Sequence, residues 1–281
     1  MNKALNLIFT IDEKYIQHFT VTLISIIENN RDIKLTVFVI HDINNFTFLS
    51  KVLDFFKAKY NLSISLLSID NSLFEHYTIT YHVSKATYFR LMMADLIPEH
   101  IDHAVFLDSD IVVNGSLGAF ADLEFKDNYL FAVTEDEIYL DNVIRLNKLG
   151  IPAEKYFNAG VMVLNLKAWR AHNVSKELIS IAKKYAKELL WWDQDVLNMF
   201  FYDKWEKLPS KYNEKNIINT LAETPVIVHY TGSIKPWNYL SNHPYKKLYW
   251  FYLKLSPFKN YRYEDLTLKS FVKKMIFFNK V

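Results

Sequence analysis

The stretch VFLDSDIVVNGSL, residues 105–117, has the composition of a buried strand but contains two carboxylates, Asp108 and Asp110. Burying a carboxylate costs free energy unless a cation compensates its charge. On a strand, residues two apart point to the same side, so these two side chains can converge while Ser109 faces away. Mg²⁺ and Mn²⁺ prefer such closely spaced oxygen ligands. The stretch therefore predicts a divalent-metal site; the alternative is that Asp110 and Asn114 only end a strand and open a turn.

Strand-like and helix-like segments alternate on the N-terminal side of this stretch. Apolar strands are predicted to begin near residues 4, 34 and 61, and helices are predicted over residues 18–29, 45–60 and 84–96. Such an alternation is typical of β-α-β units and of a mainly parallel sheet that is covered on both faces. Strands buried on both faces are continuous apolar runs, as these are. Ligands of such α/β sheets bind beyond the carboxyl ends of the strands, where we expect Asp108 and Asp110.

The composition restricts the possible chemistry. The chain has 281 residues, of which 51% are hydrophobic, and is long enough to bury a large core. It contains no cysteine, which excludes a disulfide framework, a thiolate nucleophile and a cysteine-based zinc site. The chain has no run of about 18 consecutive apolar residues, so no membrane-spanning helix is predicted. The N-terminal apolar run lacks a signal-peptide cleavage site, so we expect a cytoplasmic protein.

Charge is distributed unevenly along the chain. Residues 245–281 contain nine Lys/Arg, two acidic residues and eleven aromatic residues, whereas residues 1–244 carry a net negative charge. Rings mixed with cations suit the headgroup layer of an anionic membrane. The alternative is a C-terminal helix that packs its rings on the body and exposes ordinary lysines. We predict a catalytic domain over residues 1–244 and a basic aromatic segment over residues 245–281 that contacts the cytosolic membrane face.

Two expectations follow from this division. Removing residues 245–281 should release the protein from anionic vesicles but leave ligand binding in solution intact. The acidic body shows no basic stripe, so nucleic acid is not expected as a partner.

A second stretch, VIVHYTGSIKPW over residues 226–237, places an imidazole, a glycine and an ammonium close together. His229 closes a predicted buried strand, Gly232 allows close approach to the backbone, and Lys235 follows. These groups suit a metal-bound pyrophosphate, with His229 as a third ligand and Lys235 on the phosphate oxygens. The alternative is that His229 is a structural histidine with satisfied hydrogen bonds.

Two enzyme classes use an apolar strand that ends in D-x-D. In haloacid-dehalogenase-like phosphohydrolases the first Asp, here Asp108, is the nucleophile, and the motif normally lies near the start of the domain. Those enzymes usually carry a glycine where this chain has Ile111. In nucleotide-sugar glycosyltransferases both carboxylates hold a divalent ion that bridges the diphosphate. A third alternative is a degenerate nucleotide-sugar fold that binds glycan or membrane without catalysis.

Six motifs in order resemble those of glycosyltransferase family 8, a retaining family that includes bacterial lipopolysaccharide galactosyl- and glucosyltransferases and glycogenin. They are FTIDEKY from Phe9, HVSKATYFRL from His82, LDSDIVV from Leu107, YFNAGVMVLNLKAWR from Tyr156, WWDQDVLN from Trp191 and HYTGSIKPW from His229. The resemblance implies a GT-A type, Rossmann-like nucleotide-sugar-binding fold with a mainly parallel mixed sheet. It also implies a UDP-sugar donor and a glycan or glycolipid acceptor such as lipopolysaccharide.

The resemblance further implies roles for individual residues. Asp108, Asp110 and His229 would hold Mn²⁺ or Mg²⁺, and Gln194 and Asp193 would be the catalytic candidates. The substrate-binding residues would be Thr10, Asp12, Tyr15, His82, Val83, Arg90, Ser109, Asn158, Gly232 and Lys235. The stretch TEDE, residues 134–137, loosely matches acceptor contacts of the family. Lys14 departs from the small polar residue that some members carry near the base or ribose.

For three of these residues the sequence leaves a structural alternative. Asp193 begins a predicted helix, where Asp is a natural N-terminal residue. Arg90 could form a surface ion pair, and Tyr15 could be a core ring with a satisfied hydroxyl. In the stretch FNAG, Asn158 is expected to offer its carboxamide at the entrance of an apolar strand, and Gly160 to permit close packing.

Overall fold

A computed structural model describes residues 3–70, 86–135, 140–215, 224–263 and 265–272. The strands in these ranges are β1 (Ala4–Ile11), β2 (Lys34–His41), β3 (Ile64–Ser68), β4 (His103–Leu107), β5 (Ile111–Val113), β6 (Leu130–Thr134), β7 (Phe157–Asn165), β8 (Trp205–Lys207) and β9 (Ile227–His229). The α-helices are α1 (Ile16–Asn29), α2 (Thr47–Tyr60), α3 (Ala86–Phe89), α4 (Met93–Leu96), α5 (Leu140–Lys148), α6 (Leu166–Ala171), α7 (Val174–Lys184), α8 (Trp192–Phe201) and α9 (Lys246–Lys254).

A seven-stranded mixed sheet, with the strand order β3-β2-β1-β4-β7-β6-β8, forms the centre of the fold. Strand β1 runs parallel to β2 and β4, β2 parallel to β3, and β6 parallel to β8. Only β7 is antiparallel to its neighbours β4 and β6 within the described part of this sheet. The prediction of an α/β fold with a mainly parallel mixed sheet is therefore confirmed.

Both faces of the central sheet are covered by apolar side chains. On one face Phe9 meets Phe19 of α1, with ring centroids 5.0 Å apart, and α2 and α9 pack on the same side. On the other face Ile8 and Phe106 belong to a second core that includes Trp169 of α6 and residues of α7 and α8. Alternate residues of β1 thus enter opposite cores, which explains why apolar residues dominate both faces of this strand.

The stretch around the two carboxylates differs from the strand that the sequence predicts. Strand β4 ends at Leu107, and the chain turns before β5 begins at Ile111 in a separate two-stranded sheet with β9. The turn is held because the Asp108 N–H donates to the Gly160 carbonyl and the Tyr230 N–H donates to the Asp110 carbonyl. The carboxylates therefore converge through a change of sheet at the carboxyl end of β4, and not through alternation along one strand.

Part of the predicted membrane segment packs on the body. Tyr249 of α9 is buried, and its hydroxyl oxygen accepts a hydrogen bond from Gln17 and lies 2.7 Å from Nδ1 of His18. Tyr252 is also buried and accepts a hydrogen bond from Asn29. The rings of α9 that face α1 therefore pack on the body of the protein, as the alternative to membrane contact predicts. None of the helices within the described ranges is both long enough and apolar enough to cross a bilayer.

Candidate active site

Three side chains converge where β4 gives way to β5. One ligand atom from each of Asp108, Asp110 and His229 lies within 4.8 Å of the other two. The Nε2 atom of His229 is 3.3 Å from Oδ1 of Asp110 and 3.7 Å from Oδ2 of Asp108. Their proximity follows from the antiparallel pairing of β5 with β9, in which Ile111 is opposite His229. The structure therefore places the three residues predicted as metal ligands together.

The ring of His229 is oriented by a chain of hydrogen bonds whose direction is fixed. The Gly160 N–H donates to Oδ1 of Asn158, so this atom must be an acceptor, and Nδ2 of Asn213 donates to the same oxygen. The Oδ1 atom of Asn213 therefore faces Nδ1 of His229, 2.9 Å away. Nδ1 must carry a proton, and Nε2 is the ring nitrogen that faces the carboxylates and can bind a cation. Sequence reasoning missed Asn213, because it lies in no recognised motif.

A glycine makes room for this arrangement. A Cβ atom on Gly160 would lie 2.2 Å from Cε1 of His229 and 2.9 Å from Oδ2 of Asp108. The register of β6 and β7 shifts between Ala132 and Val133, and this bulge re-aims the backbone of β7 beside the site. The FNAG stretch, expected at the entrance of a strand, lies within β7 itself. The close packing expected of Gly160 is its contact with the two predicted ligands.

The residues present fit a divalent cation. Two carboxylates with an imidazole form a donor set that suits Mn²⁺ or Mg²⁺. Burial by itself would raise the pKa of the Asp110 carboxyl, but the Lys235 ammonium, 2.6 Å away, outweighs burial and holds that pKa well below its usual range. Asp110 is therefore ionised at neutral pH and available as a ligand.

Arg90 connects one of these carboxylates to α8. Its guanidinium is buried, lies 4.6 Å from the centre of the Phe106 ring, and donates to the Ala159 carbonyl. Nη2 is 2.8 Å from Oδ1 of Asp108, and Nε is 2.8 Å from Oδ2 of Asp193. Burial opposes the charge, but the two carboxylates raise the pKa of Arg90. Arg90 is thus a buried bridge between two predicted site residues and not a surface ion pair.

The start of α8 is organised by Asp195, the second carboxylate of the DQD stretch. It accepts hydrogen bonds from the backbone N–H groups of Leu190 and Trp191, which precede the helix. Arg145 binds the same carboxylate through both terminal nitrogens, at 2.8 and 3.1 Å, and the Tyr156 hydroxyl donates to it at 2.7 Å. Sequence reasoning assigned no role to Asp195, although the DQD stretch contained the signal. Asp195, and not Asp193, therefore accepts these backbone hydrogen bonds next to the start of α8.

Gln194 is held with its amide at the wall of a cavity. Its Oε1 accepts from the Ala159 N–H at 3.0 Å, and its Nε2 donates to the Tyr156 hydroxyl at 3.3 Å. The cavity has a volume of about 500 Å³. Six of the residues predicted for the site line it, namely Asp110, Asn158, Gln194, His229, Gly232 and Lys235. Residues from four separate motifs thus share one cavity.

Lys235 and Gly232 lie in the loop that follows β9. Nζ of Lys235 is 2.6 Å from Oδ2 of Asp110 and donates to the Tyr230 carbonyl at the same distance. Gly232 has a φ of +80°, a left-handed conformation that favours glycine, and a Cβ atom there would meet open space. The loop therefore brings an ammonium group beside the predicted metal ligands and exposes its own backbone nearby.

The end of β1 supplies three further predicted residues. Thr10, Asp12 and Tyr15 are partly buried, and Oδ1 of Asp12 accepts from the Tyr15 N–H at 3.1 Å. Burial, then the neighbouring Asp110 and Asp12 carboxylates, raise the pKa of the Tyr15 hydroxyl. Tyr15 therefore keeps its proton at neutral pH and can donate a hydrogen bond.

Other predicted residues have different surroundings. Ser109 is buried, its carbonyl accepts from the Thr22 hydroxyl, and its own hydroxyl has no hydrogen-bond partner within the described ranges. Lys14 is exposed. His82 and Val83 lie outside the described residues, as does the second half of the TEDE stretch.

A buried ion pair that sequence reasoning missed lies on the same cavity wall. Nζ of Lys215 is 2.5 Å from Oε1 of Glu135, and Nδ2 of Asn158 donates to the other oxygen of that carboxylate at 2.8 Å. Glu135 belongs to the TEDE stretch, but no pattern in the sequence indicates its partner. The pair fixes the position of the Asn158 carboxamide from the side opposite Asn213.

The sequence of this chain is similar to those of known glycosyltransferases. The sequence matches glycosyl transferase family 8 over residues 6–241. It is 30% identical to a lipopolysaccharide 1,2-glucosyltransferase of Escherichia coli, over 95% of this chain and 83% of that protein. It is 28% identical to general stress protein A of Bacillus subtilis (strain 168), over 90% of this chain and 94% of that protein.

Among solved structures, the galactosyltransferase LgtC, crystallised in complex with donor and acceptor sugar analogs, has a similar fold. The TM-score is 0.81 at 21% sequence identity, and the match covers 96% of this chain and 100% of that chain. The chain therefore has a GT-A type fold.

Proposed function

This chain belongs to glycosyltransferase family 8, and we propose that it transfers galactose or glucose from a UDP-sugar to a glycan acceptor with retention of the anomeric configuration. The observation that carries the proposal is the convergence of two carboxylates, an imidazole and an ammonium group at the end of β4, beside a cavity that Asp110, His229 and Lys235 line. The name of the Escherichia coli relative supports lipopolysaccharide or another cell-surface glycan as the acceptor. No observation on the described residues favours the phosphohydrolase or the non-catalytic binding module.

The donor diphosphate would bind at the carboxyl end of β4. Asp108, Asp110 and His229 would hold Mn²⁺ or Mg²⁺ there. When bound, the ion supplies positive charge that stabilises the departing UDP. Lys235 would add a second positive charge, because its Nζ lies only 2.6 Å from Asp110. Exposed backbone around Gly232 would contribute N–H donors to the same phosphates.

The remaining predicted residues would surround the nucleoside and the hexose. Thr10, Asp12 and Tyr15 would bind the uridine at the end of β1, together with Ser109, His82 and Val83. Arg90, Asn158, Asp193 and Gln194 would bind the donor sugar. The carboxylate of Asp193 is engaged by Arg90 at 2.8 Å, which weakens it as a nucleophile, whereas the Gln194 amide borders the cavity. Attack by one of these groups and attack by the acceptor from the leaving-group side are both compatible with retention.

Thermal unfolding tests this proposal directly. UDP and Mn²⁺ together should raise the melting temperature by several degrees, since a ligand at about 100 times its Kd adds roughly 2.7 kcal/mol of stability. UDP alone, Mn²⁺ alone, and the pair with EDTA should have much smaller effects, because the nucleotide binds through the ion. GDP with Mn²⁺ is the control for the base. A protein that shows no shift with UDP and Mn²⁺ would contradict a functional donor site, and a positive result would be followed by a panel of UDP-sugars.

We also propose that the C-terminal segment attaches the enzyme peripherally to the cytosolic face of an anionic membrane. Four large apolar side chains are exposed close together near its end, Leu266, Leu268, Phe271 and Val272, and Leu268 is 81% exposed. Lys269 lies among them, and Lys273, Lys274 and Lys280 follow. Each basic residue near an anionic surface contributes about 1 kcal/mol.

Co-sedimentation with vesicles tests the membrane proposal. The full chain should sediment with vesicles that contain phosphatidylglycerol, and 0.5 M salt should release it, because charge attraction is screened. Truncation after residue 263 should abolish sedimentation while keeping α9 in place. Neutral phosphatidylcholine vesicles and a Lys51→Gln variant on α2 are the controls. Unchanged sedimentation of the truncated chain would contradict the proposal.

A further inference from the structure

Hydrogen bonds connect the loop that carries Gly232 and Lys235 to α9. We define the donor loop as residues 230–241. The indole N–H of Trp250, on α9, donates to the Pro236 carbonyl at 2.9 Å. The ammonium group of Lys246, also on α9, donates to the carbonyls of Asn238 and Ser241 at 2.8 and 3.2 Å. Both bonding sites lie in the half of the loop that follows Lys235, so α9 holds the backbone of that half.

A ring stack joins the same loop and helix from the inner side. Trp237 of the donor loop stacks on His18 of α1, with ring centroids 3.5 Å apart and planes 14° from parallel. Tyr249 of α9 lies 5.2 Å from the Trp237 ring and contacts His18 through its hydroxyl. Burial lowers the pKa of His18 to about 3, so this ring stays neutral and the stack carries no buried charge at neutral pH.

Further hydrogen bonds hold the loop on both sides of Lys235. The Tyr230 hydroxyl donates to the carbonyl of Tyr245, the residue before α9. The Tyr239 N–H donates to both carboxylate oxygens of Asp265, at 2.9 and 3.0 Å. Between these anchors, Ile234 is 59% exposed and a Cβ atom on Gly232 would meet open space. The segment beside Lys235 is therefore exposed, and contacts with residues after 244 hold it on either side.

We propose that α9 positions the donor loop, with Trp250 and Lys246 as positioning residues that place Lys235 and Gly232 for the diphosphate. This inference rests on the proposed function, because the loop is assigned there to the UDP-sugar. A loop that is already ordered loses less conformational entropy when it binds its ligand, so loosening it weakens binding. The basic aromatic segment therefore acts on donor affinity as well as on membrane contact.

The inference reverses one expectation from the sequence. The sequence predicts that a chain ending at residue 244 keeps donor binding in solution, because residues 245–281 are predicted to be a segment separate from the catalytic domain. On the present inference, that truncation removes the indole, the ammonium group and the carboxylate that fix the donor loop. A chain that ends at residue 263 loses the Asp265 contact but keeps the indole and the ammonium group of α9, and for this reason the vesicle experiment uses that later end point.

A pair of substitutions on α9 tests the inference. Trp250→Phe keeps an aromatic ring but removes the N–H that binds Pro236, whereas Tyr252→Phe removes a hydroxyl that binds Asn29 of α1. Each variant thus loses one side-chain hydrogen bond from the same helix, but only the first bond reaches the donor loop. With Mn²⁺ present, Trp250→Phe should raise the Kd for UDP roughly five-fold, the effect of about one hydrogen bond. Tyr252→Phe should leave this Kd unchanged.

Two further readouts separate positioning from a general loss of structure. Hydrogen exchange of residues 231–241 without nucleotide should accelerate in Trp250→Phe and not in Tyr252→Phe. The KM for the UDP-sugar should rise in Trp250→Phe while kcat stays close to that of the unmodified protein. Lys246→Met is the second variant, and it should change exchange and Kd in the same direction.

Each outcome distinguishes this inference from the proposed function. If the unmodified protein binds UDP but Trp250→Phe and Lys246→Met bind it equally well, the inference is overturned and the proposed function stands. The same holds if exchange of the loop is unaffected by both variants. If the unmodified protein does not bind UDP with Mn²⁺, both proposals are overturned, whatever the exchange data show.

Discussion

Replacing Asp110 by Asn should abolish sugar transfer, with a fall of at least about 100-fold in kcat/KM. Asp110 lies between Nε2 of His229 and Nζ of Lys235, at 3.3 and 2.6 Å. Its carboxylate is therefore placed to bind the divalent ion and to hold the ammonium group that we assign to the donor diphosphate. The amide of Asn has the same shape and keeps one oxygen for Lys235, but it has no charge with which to bind a cation. The fold should consequently survive while metal-dependent UDP binding is lost.

Asp110 is a cleaner target than Asp108 for this experiment. Asp108 also forms an ion pair with the buried Arg90, so neutralising Asp108 would leave a buried cation with less compensation and destabilise the fold. Asp102→Asn is the matched control, since Asp102 precedes the other end of β4 and is exposed. Transfer activity and the stabilisation by UDP with Mn²⁺ should be measured on both variants. Full activity of Asp110→Asn would contradict the assignment of Asp110 to the metal site.

The parts of the fold that were predicted correctly are those whose signal is local. Strands β1 and β2 are rich in apolar residues, and α1 and α2 have apolar residues at helical spacing, so their existence and approximate bounds follow from the sequence. The antiparallel direction of β7 could not be predicted, because a buried strand reads the same in either direction. The break after Leu107 was missed for a related reason. The apolar runs before and after the carboxylates pair with different partners, β7 and β9, and pairing over such distances leaves no local pattern.

The same distinction applies to the candidate site. Asp108, Asp110 and His229 stand out because they are polar residues at the ends of apolar runs, and Lys235 because it follows a glycine-containing turn. Asn213 does not stand out, since its importance comes from contacts with His229 and Asn158, which are distant in the chain. Supporting residues of this kind are recognised only when the fold brings their partners together. They nevertheless fix the tautomer and the orientation on which the predicted metal site depends.

Replacing Gly160 by Ala should have an effect as large as that of Asp110→Asn, although it removes no polar group. The added Cβ would lie 2.2 Å from Cε1 of His229, 2.8 Å from its Nδ1 and 2.9 Å from Oδ2 of Asp108. Real Cβ atoms do not approach other atoms this closely, so the imidazole must move. Its position is fixed by Asn213 on one side and by the pairing of β9 with β5 on the other. We therefore expect the three predicted ligands to separate, with at least about a 100-fold loss of transfer activity and an overpacking cost of about 1–3 kcal/mol.

The control for this prediction is Gly115→Ala, in the segment that follows β5. A Cβ there would make an ordinary contact of 3.4 Å with the side chain of Val226, and neither glycine has the positive φ that would strain an alanine. The two variants thus make the same chemical change and differ in what the added methyl group meets. The stabilisation by UDP with Mn²⁺ should disappear in Gly160→Ala and persist in Gly115→Ala, while both ligand-free proteins unfold cooperatively. If Gly160→Ala keeps its Mn²⁺-dependent stabilisation, the ion does not bind between Asp108 and His229, and the site must lie elsewhere on the cavity wall.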